Sequence, residues 1–352
     1  MNILKFVSGI VVCFLYSLAF SRSVHRPIDN HMPQITTRWV GEIQTYHLKH
    51  SHLEEHPIFN KFDKQFFLSH LLPQGPLAYR HDAQTTVDGA ALSNLIEELV
   101  ADLQHSKEKK TTFKHFTVLK QRDFNFKTCS GLIILKFKQY PFVLKLFMET
   151  PQSFVQPFSK GFEPSCLFIM GGGINRYLSG FTRIKNLEAI RERIKTSTYW
   201  SNLLDTPRKW YWQPERPEWF EVTGTNIGRQ KTRTIVLPAV YGIVCDEIVS
   251  DHSLRLMHKS NRRIAMQLSQ FLGNRIDPHI DNFMIEKSTG KIMVVDTEHF
   301  ATMVGLKEQL ECNGYTKWYS SLCCKFLADK FGRSKYKRRA LHHEPVPEIL
   351  QY

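Results

Sequence analysis

Asp277, Asn282 and Asp296 are the residues of this sequence whose types and spacing most directly suggest chemistry. They lie in "IDPHIDNFMIEKSTGKIMVVDTEHF", residues 276–300, with Asn282 five residues past Asp277 and Asp296 fourteen past Asn282. Two short apolar runs, 283–285 and 292–295, flank a turn at 286–290, and this is the pattern of a hairpin that folds its ends together. Asn282 and Asp296 are therefore expected side by side. An amide oxygen beside a carboxylate suits Mg2+, which takes few protein oxygens and completes its shell with water and phosphate. Asp277, on the preceding loop, could accept the proton of an attacking hydroxyl. Taken singly, Asp, His and Asn in a loop are ordinary turn formers, and His279 and Asp281 read as loop-structuring. Glu298 either assists the metal or caps the next turn.

These groups need elements to hold them. Residues 116–121, 131–137 and 140–148 are short β-rich runs, the last two forming a hairpin around Gln139. A helix over 182–194 carries Ile184, Leu187, Ile190 and Ile194 on one face. A Trp- and Pro-rich segment at 208–220 reads as a packed loop, and 234–244 as one apolar strand. An amphipathic helix from about 253 to 272 then delivers the chain to the hairpin. The order is that of an α+β fold, a small β-rich lobe followed by a helical one. Residues 24–115 read as a polar extension with one good helix at 88–105, where Leu92, Leu95, Ile96, Leu99 and Leu103 recur at helical spacing.

With "DPHIDN" followed by "TGKIMVVD", the stretch resembles the catalytic loop and metal-binding strand of the protein-kinase-like superfamily, in an atypical branch. The His two after the first Asp is similar to that of aminoglycoside phosphotransferases, phosphatidylinositol-type lipid kinases and HipA-like kinases. Asp-Thr-Glu is similar to the Asp-x-Glu of choline and aminoglycoside kinases. The resemblance implies a two-lobed fold with a β-rich N-lobe (116–240) and a reduced helical C-lobe (241–352) ending in a basic tail. It implies ATP and Mg2+ as cofactors, Asn282 and Asp296 as metal ligands, and Asp277 as the catalytic residue that orients a hydroxyl acceptor. Lys145, in "FVLKLF", would hold the nucleotide phosphates, with Glu188 as its partner on the helix, ahead of Glu192. Lys136 and Lys138 are weaker candidates for the lysine. Some parts of the pattern differ: "RDFNFKTCSG" has one glycine where the phosphate-covering loop has several, Arg275 and Ile276 stand in place of His-Arg, and no A-P-E follows. These departures keep a second reading open, a nucleotide-binding or degenerate pseudokinase acting as an interaction module.

Composition fits a folded protein: 352 residues, 42% hydrophobic, with a formal charge of +14 that draws phosphates, nucleotides and acidic surfaces. The N-terminal 23 residues read as a secretory signal with possible cleavage after Ala19, or as an anchor, which directs the protein to the secretory lumen or outside the cell. Six cysteines follow Cys13, compatible with disulfides or with free thiols. Two motifs carry less weight. "HLEEH" (52–56) has zinc-helix spacing but runs into Pro57, and "GRSKYKRR" (332–339) reads as a solvated basic tail that could meet an acidic surface. Nucleic acid is not among the expected partners.

Overall fold

Helix 172–195 is buried on every side along most of its length, because it lies between two sheets. The computed structural model describes residues 33–49, 53, 58–156, 172–227, 230–250, 252–255, 257–273, 276 and 279–298. The N-terminal 23 residues, "HLEEH" apart from Leu53, Asp277 and the basic tail all lie outside these residues. In chain order the elements are β1 (Gln34–Trp39), β2 (Tyr46–Lys49), α1 (Ile58–Lys61), α2 (Lys64–Ser69), β3 (Pro76–Tyr79), β4 (Asp82–Asp88), α3 (Gly89–Ser106), β5 (Phe116–Lys120), β6 (Phe124–Asn125), β7 (Ser130–Phe137), β8 (Phe142–Met148) and α4 (Pro151–Val155). There follow α5 (Gly172–Lys195), α6 (Thr198–Leu203), β9 (Leu204–Asp205), β10 (Lys209–Trp212), β11 (Trp219–Ile227), β12 (Gln230–Pro238), β13 (Val240–Asp246), β14 (His252–Ser253), α7 (Lys259–Phe271), β15 (Phe283–Ile285) and β16 (Ile292–Val294). The fold is α+β.

The central sheet runs β10-β13-β8-β7-β5, with β6 added on β7, and its pairs are antiparallel. Alternation along its strands sends Ile133, Leu135, Leu144 and Leu146 to one face, where Leu92, Ile96, Leu99 and Leu103 of α3 cover them. Leu132, Phe147, Tyr211 and Ile243 face the other way, onto Tyr177, Phe181 and Ile184 of α5. Beyond α5 lies a second sheet, β12-β11-β1-β2, contributing Ile35, Phe220, Val222 and Leu237. Four layers result: α3, the central sheet, α5, and the outer sheet. The last turns of α5 leave this stack and pack Ile190 and Ile194 against α7 and the β15–β16 hairpin.

Three expectations are corrected here. The stretch 234–244 is not one strand: Pro238 ends β12 in the outer sheet, and β13 begins afresh as an inner strand of the central sheet, so the 240/241 boundary cuts off a strand that belongs with Lys145. Segment 208–220 supplies β10 and the start of β11 instead of a loop. The extension is built into the body, since β1 pairs with β11 and α3 covers the central sheet. Cys129 and Cys245 are free thiols.

Gly180 sets how closely α5 meets the central sheet: an added Cβ would lie 2.0 Å from Tyr241 Oη and 2.8 Å from the Phe147 ring. Gly180→Ala should lower stability by about 1–2 kcal/mol in denaturant unfolding, because overpacking outweighs the gain in helix propensity.

Candidate functional site

Period-two alternation puts Lys145 of β8 and Lys209 of β10 on the α5 face of the central sheet, in a place that would otherwise be apolar. What accepts them comes from the far end of the chain. The β15–β16 hairpin forms as the sequence predicts, with Phe283 opposite Val294, and Val295 N–H donates to Asn282 O at 3.0 Å. Asn282 closes a single 3-10 turn at 280–282 that His279 caps. The backbone thus holds Asn282 beside the strand end that continues into Asp296.

Asp296 Oδ2 lies 3.4 Å from Lys145 Nζ. Arg183 of α5 grips the same carboxylate with both prongs, Nε to Oδ1 at 2.9 Å and Nη2 to Oδ2 at 3.2 Å, and its Nη2 also reaches Glu298 Oε2 at 2.8 Å. Ser179 Oγ donates to Glu298 Oε2 at 2.5 Å. Lys209 Nζ donates to Val295 O at 3.1 Å and to Thr297 Oγ1 at 2.6 Å, and Thr297 Oγ1 in turn donates to Arg183 O at 2.8 Å. Asn186 Nδ2 donates to Thr297 O at 3.0 Å. Segment 295–298 is therefore clamped from the helix and from the sheet. A further tie comes from Arg80, at the tip of the β3–β4 hairpin. Its guanidinium meets Asp205 Oδ2 at 2.5 Å and Glu286 Oε1 at 3.2 Å, joining β9 to the turn of the β15–β16 hairpin.

The helix residues that build this site are Ser179, Arg183 and Asn186, spaced four and three apart and so on one face. Glu188 is five residues past Arg183, about 140° around the helix, and cannot share that face. It is exposed and meets His70 Nε2 at 2.8 Å, so the expected pairing of Glu188 with Lys145 is replaced by Asp296 itself. Lys136 and Lys138 point elsewhere, to Glu247 and to the carbonyls of Phe113 and Lys114. The polar stripe was visible in the sequence as Ser, Arg and Asn at helical spacing. It was obscured by the apolar stripe Ile184, Leu187, Ile190 and Ile194, which faces other layers.

Three cationic side chains, Lys145, Arg183 and Lys209, crowd two carboxylates, Asp296 and Glu298. Burial alone would raise the pKa of Asp296, but Arg183, Lys145 and Lys209 overcome it and hold the carboxyl well below the usual range. Burial works against the charge of Arg183 too, yet Asp296 and Glu298 more than restore it. Lys145 is lowered by burial despite Asp296. Lys209 is lowered by burial and by Lys145 to about 7.

The Lys209 shift gives a testable pH dependence. Its folded pKa lies below the unfolded 10.5, so between about 7 and 10.5 the unfolded chain binds more protons and stability rises with pH. The contribution is at most about 1.4 kcal/mol per pH unit. In Lys209→Met this part of the slope should vanish, read as a smaller gain in unfolding free energy between about pH 7 and pH 9.5.

Asp296 is 23% exposed with both carboxylate oxygens held by Arg183, and Mg2+ needs only one or two protein carboxylates. Among the described residues, Arg183 Nη1 is buried without a hydrogen-bond partner. An excess of cations around an orphaned N–H group suits added negative oxygens. No protein-family model, curated protein sequence or solved structure matches the chain.

Proposed function

We propose that the protein is an ATP- and Mg2+-dependent phosphotransferase of two-lobed, protein-kinase-like build, moving a γ-phosphoryl group to a hydroxyl acceptor. The observation that carries this reading is the 3.4 Å approach of Lys145 Nζ to Asp296 Oδ2, between a lysine on the third long strand of the central sheet and a carboxylate at a hairpin end 151 residues later.

Bound Mg·ATP supplies the transferable phosphoryl group and the divalent charge that offsets its oxygens. Lys145 is suited to the phosphates: its side chain is 11% exposed and, among the described residues, Asp296 is the one carboxylate within salt-bridge distance. Asp296 and Asn282 would hold the metal. Arg183 fixes the Asp296 carboxylate in one orientation, which removes the entropy of placing it. Lys209 and Asn186 fix the backbone on either side of that carboxylate. Asp277, outside the described residues, would orient the acceptor hydroxyl and take its proton. Position and charge carry most of such a reaction, which agrees with a site made of charged groups on rigid elements. The acceptor could be a small molecule, a lipid or a protein. The N-terminal segment supports action in a secretory lumen or outside the cell, and the basic tail would add an acidic surface as a docking partner.

One observation favours the second reading, a nucleotide-binding module without turnover: both oxygens of Asp296 are already engaged by Arg183. The test is a thermal shift of the full chain with Mg·ATP, with ATP in EDTA, and with neither, followed by phosphate release. A metal-dependent rise in Tm with turnover supports the transferase. A rise without turnover supports the binding module, and no rise under any condition overturns both.

A further inference from the structure

Segment 252–276 contains no Asp or Glu, yet it carries Arg255, Lys259, Arg262, Arg263 and Arg275. It begins with β14, the edge strand beside β15, turns where His258 N–H donates to Arg255 O at 3.0 Å, and continues into α7. The helix buries Ala265, Met266 and Leu268 against the β15–β16 hairpin, which leaves Lys259 and Arg263, one turn apart, exposed on the outside. Arg255 is exposed as well, and among the described residues none of these three forms an ion pair. Met257 stands among them, 78% exposed.

Folding alone does not explain this arrangement. Cations at the start of a helix oppose its dipole, and α7 has no acidic residue in its first turn. Its N-cap, His258, makes no side-chain hydrogen bond to the first N–H groups. Both features lower helix stability, and negative charge supplied from outside relieves both. Met257 decides which anion fits. A long apolar side chain ringed by cations gains nothing from phosphate in water, whereas at a bilayer it enters the acyl boundary beneath the headgroups. Segment 252–263 also has no Phe, Tyr or Trp on which a base could stack. Among the described residues no helix is long and apolar enough to cross a membrane, so the contact is a peripheral one. We propose that the start of α7 and the turn before it dock the protein on a membrane surface rich in anionic phospholipid, with Met257 inserted. The surface does not depend on the phosphotransferase reading, because it shares no residue with that site.

The test is sedimentation of the full chain with vesicles of phosphatidylcholine alone and of equal parts phosphatidylcholine and phosphatidylserine, at low and high salt. Binding to the mixed vesicles should exceed binding to the neutral ones and should weaken with salt. The triple variant Arg255→Glu, Lys259→Glu, Arg263→Glu alters exposed side chains without ion-pair partners, so its thermal unfolding should match or exceed wild type. Its preference for mixed vesicles should fall at least about a hundredfold, from about fivefold for each charge. Met257→Ser should weaken binding about threefold to tenfold at both salt concentrations. Equal binding to the two vesicle types, a preference that survives in the triple variant because the basic tail carries it, unchanged binding in Met257→Ser, or tighter binding to a nucleic-acid duplex than to mixed vesicles would each overturn the proposal.

Discussion

Asp296→Asn should abolish phosphoryl transfer and also leave the protein markedly less stable, the two effects having one cause. The substitution keeps the shape of the side chain but leaves Lys145, Arg183 and Lys209 facing Glu298 alone. Removing one partner of a buried ion pair costs about 3–5 kcal/mol, and the partial exposure of Asp296 puts the expectation at the lower end of that range. Loss of a preorganised charge at the reacting phosphate should lower turnover by at least about a hundredfold. The stability deficit should itself depend on pH. Asp296 raises the pKa of both Lys145 and Lys209, so without it their protons leave at lower pH. Raising the pH then removes the unbalanced charge, and the Lys209 share of the deficit should shrink as pH rises to about 7, its folded value in wild type. Denaturant unfolding up to that pH and phosphate release at neutral pH check the two halves. Turnover at the wild-type rate would defeat the assignment of Asp296.

Arg183→Leu should be destabilising by less, about 2 kcal/mol, and should act on metal binding in the opposite sense. Charge balance explains the ordering. Without Arg183, two lysines still face two carboxylates, whereas without Asp296 three cations face one carboxylate. The depressed pKa of Asp296 has Arg183 as its leading stabilising cause, so the stability it lends is present above 3.8 and lost as pH falls through the folded value. In the variant that acid-side loss should be flatter, since less was gained. Both Asp296 oxygens would also be released from the guanidinium, and Mg2+ in the presence of ATP should bind more tightly than to wild type. Calorimetric titration measures this directly. Weaker metal binding would mean that Arg183 organises the metal site instead of competing with it.

Much of the site was legible from residue spacing because local chain geometry creates it. The hairpin needs only apolar runs and a Gly290 turn, where φ is +68°, so its two ends and their passengers, Asn282 and Asp296, could be paired without any tertiary information. Strand β8 and the side chain of Lys145 were equally visible. The helix partner was not. Choosing between Glu188 and a residue such as Arg183 requires knowing which of two stripes faces the central sheet, and α5 is covered on both sides, so hydrophobicity gives no single inward direction. Lys209 was hidden in a Trp-rich segment that resembled a loop until β13 paired with it. Pro238 was the overlooked signal for the break between β12 and β13, since proline ends a ladder. The cover from β1 and β2 joins residues nearly 200 positions apart, which no local pattern announces.

That cover limits how the molecule can be cut down. A fragment starting near residue 116 would retain Lys145, Arg183 and Asp296, yet it would lack β1 and β2 from the outer sheet and the α3 wall from the opposite side. One flank of this framework would then be bare apolar surface and the other covered only by β11 and β12, so such a fragment should aggregate on expression, and the shortest well-behaved version should begin before Gln34.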